Sequence, residues 1–227
     1  MGSGIAEVAA LSGCDVKVVE ANEGALEAGM ARIEKSLDRA VRAQKMTDDQ
    51  RSEVMGKISF STKLPSLADR EFVVEAVVEQ EDAKLEVFGR LNDVVDDPEA
   101  VLASNTSSIP IMKLAMATNR PQQVIGVHFF NPVPVMGLVE IISSLLTGDK
   151  TALLCQEFAS EQLGKRVVSS QDRAGFVVNA LLVPYILSAI RMMESGFASA
   201  EDIDAGMVLG CNHPMGPLAL CDLIGLD

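Results

Sequence analysis

Phe72-Val73-Val74-Glu75-Ala76-Val77-Val78-Glu79 is apolar at six of its eight positions. A strand with one face in water alternates apolar and polar residues. A strand covered by helices on both faces reads instead as an almost continuous apolar run. The stretch therefore predicts a central strand of a parallel sheet, ending at Glu79. Working outward, the residue patterns predict strands at 58–61 and 15–20 upstream, with helices at 23–44 and 4–11. Downstream they predict a helix at 82–95, a strand at 101–104, a helix at 111–116 and strands at 124–127 and 138–142. Strands alternating with helices in this way specify an α/β fold with a mainly parallel sheet.

Past residue 142 the pattern changes. A helix at 153–163 and a strand at 166–169 lead to a polar connector at 171–175, and only helices follow, at 176–195, 201–209 and 218–223. Pro184 is expected to kink the first of these. The predicted domains are therefore 1–171, an α/β unit, and 172–227, an all-helical unit. The chain opens on a helix with no strand before it and closes just after another helix. The expectation is that both domains are incomplete, the sheet lacking its first strand and the helical part its later helices. A helical segment of some 50 residues is marginal alone.

Composition narrows the partners. Basic residues number 19 and acidic residues 32, a net charge of −13, which argues against nucleic acid and anionic membrane surfaces. Apolar residues make up 48% and aromatics 4%, so the core is aliphatic. The longest apolar run, 176–190, holds Asn179, Pro184, Tyr185 and Ser188, and is too short and polar to span a membrane. Leu11-Ser12-Gly13-Cys14 looks like a lipoprotein cleavage site, but Glu7 precedes it and no Lys or Arg does. Cys14, Cys155, Cys211 and Cys221 form no CxxC pair, which suits reduced thiols in a cytoplasmic protein.

Five groups of residues are placed for chemistry. His128 stands at the end of an apolar strand, before Phe129-Phe130-Asn131-Pro132, and Glu140 is the lone acid of the next strand. A histidine beside a carboxylate is a general base with an orienting partner. Ser104-Asn105-Thr106-Ser107-Ser108 follows a strand and precedes a helix, where hydroxyls and amides either bond a ligand or cap the helix. Glu79 and Lys84 flank the end of the central strand, another ligand position. Gly2 opens a helix, and Glu20 ends the following strand, 18 residues on. That spacing suits the last glycine of a dinucleotide-binding GxGxxG turn and the acid that holds the adenosine ribose, with a carboxylate favouring NAD over NADP. Finally, Arg32, Lys35, Arg39 and Arg42 share a helix face and lead to Lys45, so that five cations meet two acids between 32 and 45. A polyphosphate could land there, and a solvated face is the plainer alternative. Asn179 early in an apolar helix needs a partner, from substrate or from a neighbouring helix. His213 has no evident acid partner and reads as structural.

Taken together, VVEAVVE (73–79), ASNTSS (103–108), GVHFFNPVPVM (126–136), LVEII (138–142), GFVVNALLVPY (175–185) and EDIDAGMVLGCNHPMGPLALCDLIGLD (201–227) resemble the short-chain L-3-hydroxyacyl-CoA dehydrogenase family, which includes the bacterial 3-hydroxybutyryl-CoA dehydrogenases. The resemblance implies a Rossmann-like domain followed by a helical domain that forms a homodimer. It implies reversible, NAD-dependent oxidation of a (3S)-hydroxyacyl-CoA to a 3-ketoacyl-CoA in fatty-acid or butanoate metabolism. His128 then looks like the catalytic base and Glu140 like its partner, with Ser107 and Asn179 bonding the substrate's 3-oxygen. Gly2, Glu20, Glu79, Lys84, Ser107 and Asn131 look like cofactor contacts. Ser36 falls where the family meets coenzyme A, and Arg42 or Lys45 stands in for a family lysine with no direct counterpart. Two other expectations compete. One is a non-catalytic relative that keeps the fold, crystallin-like or nucleotide-sensing. The other is a different NAD-dependent dehydrogenase on a related fold, which would present Lys or Cys where this chain has its His and Glu.

Overall fold

In the computed structural model the apolar stretch enters a strand at Phe72 and leaves it at Glu75. The structure describes residues 1–225; Leu226 and Asp227, the end of the last family-like segment and of the predicted second domain, lie outside the described residues. The strands are β1 (Val16–Val19), β2 (Ile58–Ser61), β3 (Phe72–Glu75), β4 (Val101–Ser104), β5 (Val124–Phe129), β6 (Leu138–Ser143) and β7 (Arg166–Gln171). One sheet runs in the order β3-β4-β5-β6-β7 and a second pairs β1 with β2. Every pairing is parallel except β5 with β6. Among the described residues, β1 and β3 each keep one edge without a strand partner.

The early end of β3 corrects the expected strand over 72–79. Glu75 pairs with Ser104, the last residue of β4. Beyond that point β4 offers no ladder, so Ala76 to Gln80 turn outward, and Val77 and Val78 are exposed despite their apolar side chains.

Helices cover both faces of the larger sheet. Helix α1 (Gly2–Leu11) places Ile5 and Val8 against Val101, Ala103, Ile125, Val127 and Ile141. Its other side places Ala6 and Ala10 against Ile33 and Leu37 of α2 (Glu23–Arg42), Val54 of α3 (Asp48–Gly56) and Ile58. One helix thus packs against both sheets. On the opposite face Phe88 and Leu91 of α4 (Glu81–Val94) and Ile111 and Leu114 of α5 (Ile111–Met116) pack on Leu102, Val124 and Ile142. Alternate residues of β4 enter opposite clusters, which is why these strands are apolar throughout. Burying such side chains stabilises by roughly 1.5–3 kcal/mol each.

Helix α3 was not expected from the sequence. It buries one residue, Val54, and so has little apolar periodicity; a capping box between Thr47 and Gln50 starts it. Helix α6 (Asp149–Glu157) begins before residue 153 and widens into a π-helical turn, Phe158–Gln162.

The chain divides into two compact units, residues 1–176 and 177–227. In the second, α7 (Val178–Glu194), α8 (Ala200–Cys211) and α9 (Pro217–Ile224) pack on one another. Helix α7 starts at Val178 rather than at 176 because Gly175 and Phe176 are left-handed, with φ of 76° and 50°. It continues through Pro184. The Asp204 carboxylate accepts from Leu218 N (2.8 Å) and Ala219 N (2.9 Å), capping α9 from α8.

Candidate active site

His128 lies on β5 and Glu140 on β6, and the antiparallel register sets them directly opposite each other. His128 Nδ1 is 2.8 Å from Glu140 Oε2. Their side chains are 6% and 0% exposed. A carboxylate only accepts, so in a neutral imidazole at this position the hydrogen belongs on Nδ1 and Nε2 is the acceptor. Nε2 faces the Ser107 hydroxyl at 3.3 Å. Two strands and one loop thus bring together three residues singled out in the sequence, in the geometry of an oriented base with a hydroxyl at its free nitrogen.

The loop carrying Ser107 is held by Glu79. One carboxylate oxygen of Glu79 accepts from Ser107 N (2.9 Å), Ser108 N (3.1 Å), Ser108 Oγ (3.0 Å) and the Thr106 hydroxyl. Partial burial pushes this carboxyl up. The Thr106 hydroxyl, Ser107 N–H, Lys84 and Ser108 hydroxyl together more than offset that and hold it below its ordinary value. Thr106 also accepts from Ile109 N at 3.0 Å, so the polar run caps its own turn as well as facing the site. Lys84 is buried, its ammonium 2.7 Å from Glu75 Oε1 and 3.4 Å from Glu79 Oε2. Glu75 accepts in addition from Val77 N (2.6 Å) and Ser104 Oγ (2.7 Å). Sequence reasoning passed over Glu75 because an acid inside an apolar strand has no local signature of its partners. Asn105 was read only as part of the polar run; its side-chain oxygen accepts from Phe129 N at 2.8 Å, joining the loop to the end of β5.

Next to this loop is a cleft of about 380 Å³ lined by Met1, Ala76, Val77, Val78, Glu79, Asn105 and Ser107. It opens at the carboxyl ends of β3 and β4, where open α/β sheets bind ligands. The first turn of α1 borders it: a Cβ on Gly2 would sit 3.8 Å from Ala76 Cβ. A Cβ on Gly4 would come within 3.0 Å of Val133 Cβ, so Gly4 lets α1 approach the loop after Asn131. Asn131 itself is exposed and precedes a cis peptide to Pro132. Glu20 follows β1, and its Oε1 would lie 3.5 Å from a Cβ on Gly29, with Ser3 Oγ 3.6 Å from the same point. The Glu20 carboxylate and the start of α1 therefore meet over Gly29. Arg32 joins them, Nε donating to Ser3 Oγ at 3.4 Å. A helix N-terminus beside strand ends and an acid at the next strand end fit a dinucleotide.

The residues expected at coenzyme A lie on α2 and the turn after it; α2 packs on α1 and α3. The Ser36 hydroxyl donates to Glu7 Oε1 at 2.8 Å. Burial pushes the Glu7 carboxyl up, against the opposing effects of Ser36 and Arg39. Arg42 and Lys45 are exposed, and Lys45 borders a shallow cleft with Val41, Gln44 and Met46. Asn179 is half-buried on the first turn of α7 in the second unit. His213 accepts or donates through Nδ1 to the Tyr185 hydroxyl at 3.2 Å within that unit. Among the described residues no group of His, Cys, Asp and Glu is arranged to hold a metal ion, and no helix is long and apolar enough to cross a membrane.

Comparisons with known proteins show the family. Residues 1–173 match the family model for the 3-hydroxyacyl-CoA dehydrogenase NAD binding domain, and residues 175–227 match that for the 3-hydroxyacyl-CoA dehydrogenase C-terminal domain. The chain is 59% identical over 227 residues to a 3-hydroxybutyryl-CoA dehydrogenase of Mycobacterium tuberculosis, covering 100% of this chain and 79% of that protein. The crystal structure of M. tuberculosis FadB2 superposes with a TM-score of 0.98 at 59% identity, covering 100% of this chain and 80% of that one. That of (S)-3-hydroxybutyryl-CoA dehydrogenase from Ralstonia eutropha superposes with a TM-score of 0.96 at 43% identity, again covering 100% and 80%. The chain belongs to the NAD-dependent 3-hydroxyacyl-CoA dehydrogenase family.

Proposed function

We propose that this chain interconverts a (3S)-hydroxyacyl-CoA and the 3-ketoacyl-CoA, with a short acyl chain such as that of 3-hydroxybutyryl-CoA. The observation that carries the reading is the buried His128–Glu140 pair, with Nε2 left as an acceptor facing Ser107. NAD, when bound, accepts the hydride released from C3. The chain's own part is the proton. His128 Nε2 takes it from the 3-hydroxyl, and Glu140 holds the tautomer and stabilises the resulting imidazolium. The Ser107 hydroxyl bonds the same substrate oxygen and steadies charge developing on it in the reverse direction. Asn179 is assigned to that oxygen by its place in the GFVVN segment.

For the cofactor we assign the start of α1 with Gly2 to the pyrophosphate, Glu20 to the adenosine ribose, and Glu79, Ser107 and Asn131 to the nicotinamide end. Lys84 acts there through Glu79, since its ammonium is engaged with Glu75 and Glu79. Ser36, Arg42 and Lys45 are assigned to coenzyme A, supported by the local excess of cations on α2. Exposed apolar residues of the helical unit, among them Leu181, Phe197 and Leu209, support a homodimer formed through it. A cytoplasmic setting and a role in fatty-acid metabolism complete the reading, the first resting on the cysteine pattern and the second on the family.

The deciding experiment follows NADH consumption with acetoacetyl-CoA, using the 227-residue chain once circular dichroism shows it folded. Turnover is expected, and His128→Ala is expected to lower kcat by ~10²–10⁴-fold, the contribution of a positioned base, with NADH binding retained. A folded chain without turnover, or a variant that loses binding and turnover alike, overturns the assignment.

A further inference from the structure

Phe176 has a backbone conformation that bulky L residues rarely adopt. Its φ is 50°, in the left-handed region, directly after Gly175 at 76°. Glycine accepts that region freely, whereas a side chain with a Cβ is strained there. Strain of this kind persists only where the surroundings hold it, and it collects at functional sites. Here the turn is closed by Phe176 N donating to Arg173 O at 2.9 Å, and the side chain is buried. The ring belongs to the apolar cluster that includes Ile109, two residues past Ser107, and Ile142, two past Glu140. On its other side it meets the edge of the His128 imidazole, with centroids 5.5 Å apart and planes at 63°. Phe130 meets the same imidazole at 4.7 Å and 64°.

We propose that Phe176 is a positioning residue for the histidine: together with Phe130 it fixes the plane of the His128 ring, so that Nε2 stays aimed at Ser107 while Nδ1 stays on Glu140. Hydrogen bonds at Nδ1 and Nε2 leave the imidazole free to rotate about the line that joins them. Two aromatic edge contacts in the favoured tilted geometry remove this freedom. The strained turn before α7 is the backbone consequence of carrying the ring to that place, since a relaxed right-handed residue at 176 would direct its side chain elsewhere. The proposal rests on the dehydrogenase reading only for its effect on turnover.

The test exploits the chain's having two histidines, His128 and His213. Protein labelled with ¹⁵N-histidine reports the tautomer and the Nδ1–H proton of each ring, and His213→Gln assigns them. The unchanged chain is expected to show His128 in one tautomer, with a protected Nδ1–H, and cross-relaxation between the Phe176 and His128 ring protons. Phe176→Leu keeps an apolar side chain but no ring. It is expected to loosen the imidazole and lose the protected Nδ1–H proton, while circular dichroism stays native. Phe72→Leu removes another ring, half-buried and tilted against Phe158 with centroids 4.7 Å apart, and is expected to leave the His128 signals unchanged. In turnover, Phe176→Leu lowers kcat by up to ~10²-fold, the scale of a small misplacement of a reacting group, with KM for acetoacetyl-CoA little altered. Retention of the protected Nδ1–H proton in Phe176→Leu overturns the proposal, as does its loss in both variants. Absence of Phe176–His128 cross-relaxation in the unchanged chain also overturns it, even if the variant fails to fold. Native imidazole behaviour without turnover counts against the dehydrogenase and leaves the positioning role standing.

Discussion

Glu7 shows how one residue answers to conflicting demands. It lies in the first helix, 5% exposed, and accepts a hydrogen bond from Ser36 at 2.8 Å. Burial raises its carboxyl above the ordinary 4.5, more than Ser36 and Arg39 lower it. The folded chain therefore binds this proton more tightly than the unfolded chain does. By linkage, the favourable contribution is complete below pH 4.5 and is lost as pH rises through the folded-state value. Glu7→Gln keeps an oxygen for the Ser36 hydroxyl and removes the buried charge. The variant is expected to melt a few degrees above the parent at neutral pH, with the gap closing below pH 4.5, in thermal unfolding followed by circular dichroism. The same bond engages the Ser36 hydroxyl, which the family resemblance assigns to coenzyme A.

At the scale of elements, the loop between β4 and α5 is the part that brings Ser107 to His128. The amides of Ser107 and Ser108 pair with no strand; they point at one carboxylate oxygen of Glu79. That carboxyl is held below its ordinary 4.5, so the sign is opposite to that of Glu7. The stabilisation is present above pH 4.5 and disappears as pH falls through the folded-state value. The amide resonances of Ser107 and Ser108 are expected to titrate together in that acidic range, and to show no such step in Glu79→Gln. Little of this was legible in advance. The alternation of strands and helices was, since it is written in local periodicity, and so was a polar loop at the end of β4. The bonds that order the loop span 27 to 29 positions, and no pattern of neighbours announces them. The end of β3 was misjudged for the same reason: Val77 and Val78 look like strand, yet the partner strand stops at Ser104.

The whole molecule combines an acidic α/β unit with a helical unit rich in uncovered apolar side chains. Leu181 is 72% exposed, Phe197 78% and Leu209 84%. On the proposal that this apolar surface is a homodimer interface, sedimentation velocity is expected to show a dimer that Leu181→Glu with Phe197→Glu converts to monomer. A monomeric parent would count against that interface. The sequence by itself determined the class of fold, the alternation of its strands and helices apart from α3, and the presence of one histidine and one acid on consecutive strands, because periodicity, turn residues and residue chemistry are local properties. Only the tertiary structure decided that those two side chains face each other in register, that Lys84 is engaged with Glu75, that Glu79 gathers the Ser107 loop, and that Phe176 accepts a left-handed backbone beside His128. Each of these is set by which distant groups the packed sheet and helices bring within bonding distance, and by the cost of leaving a buried polar group without a partner.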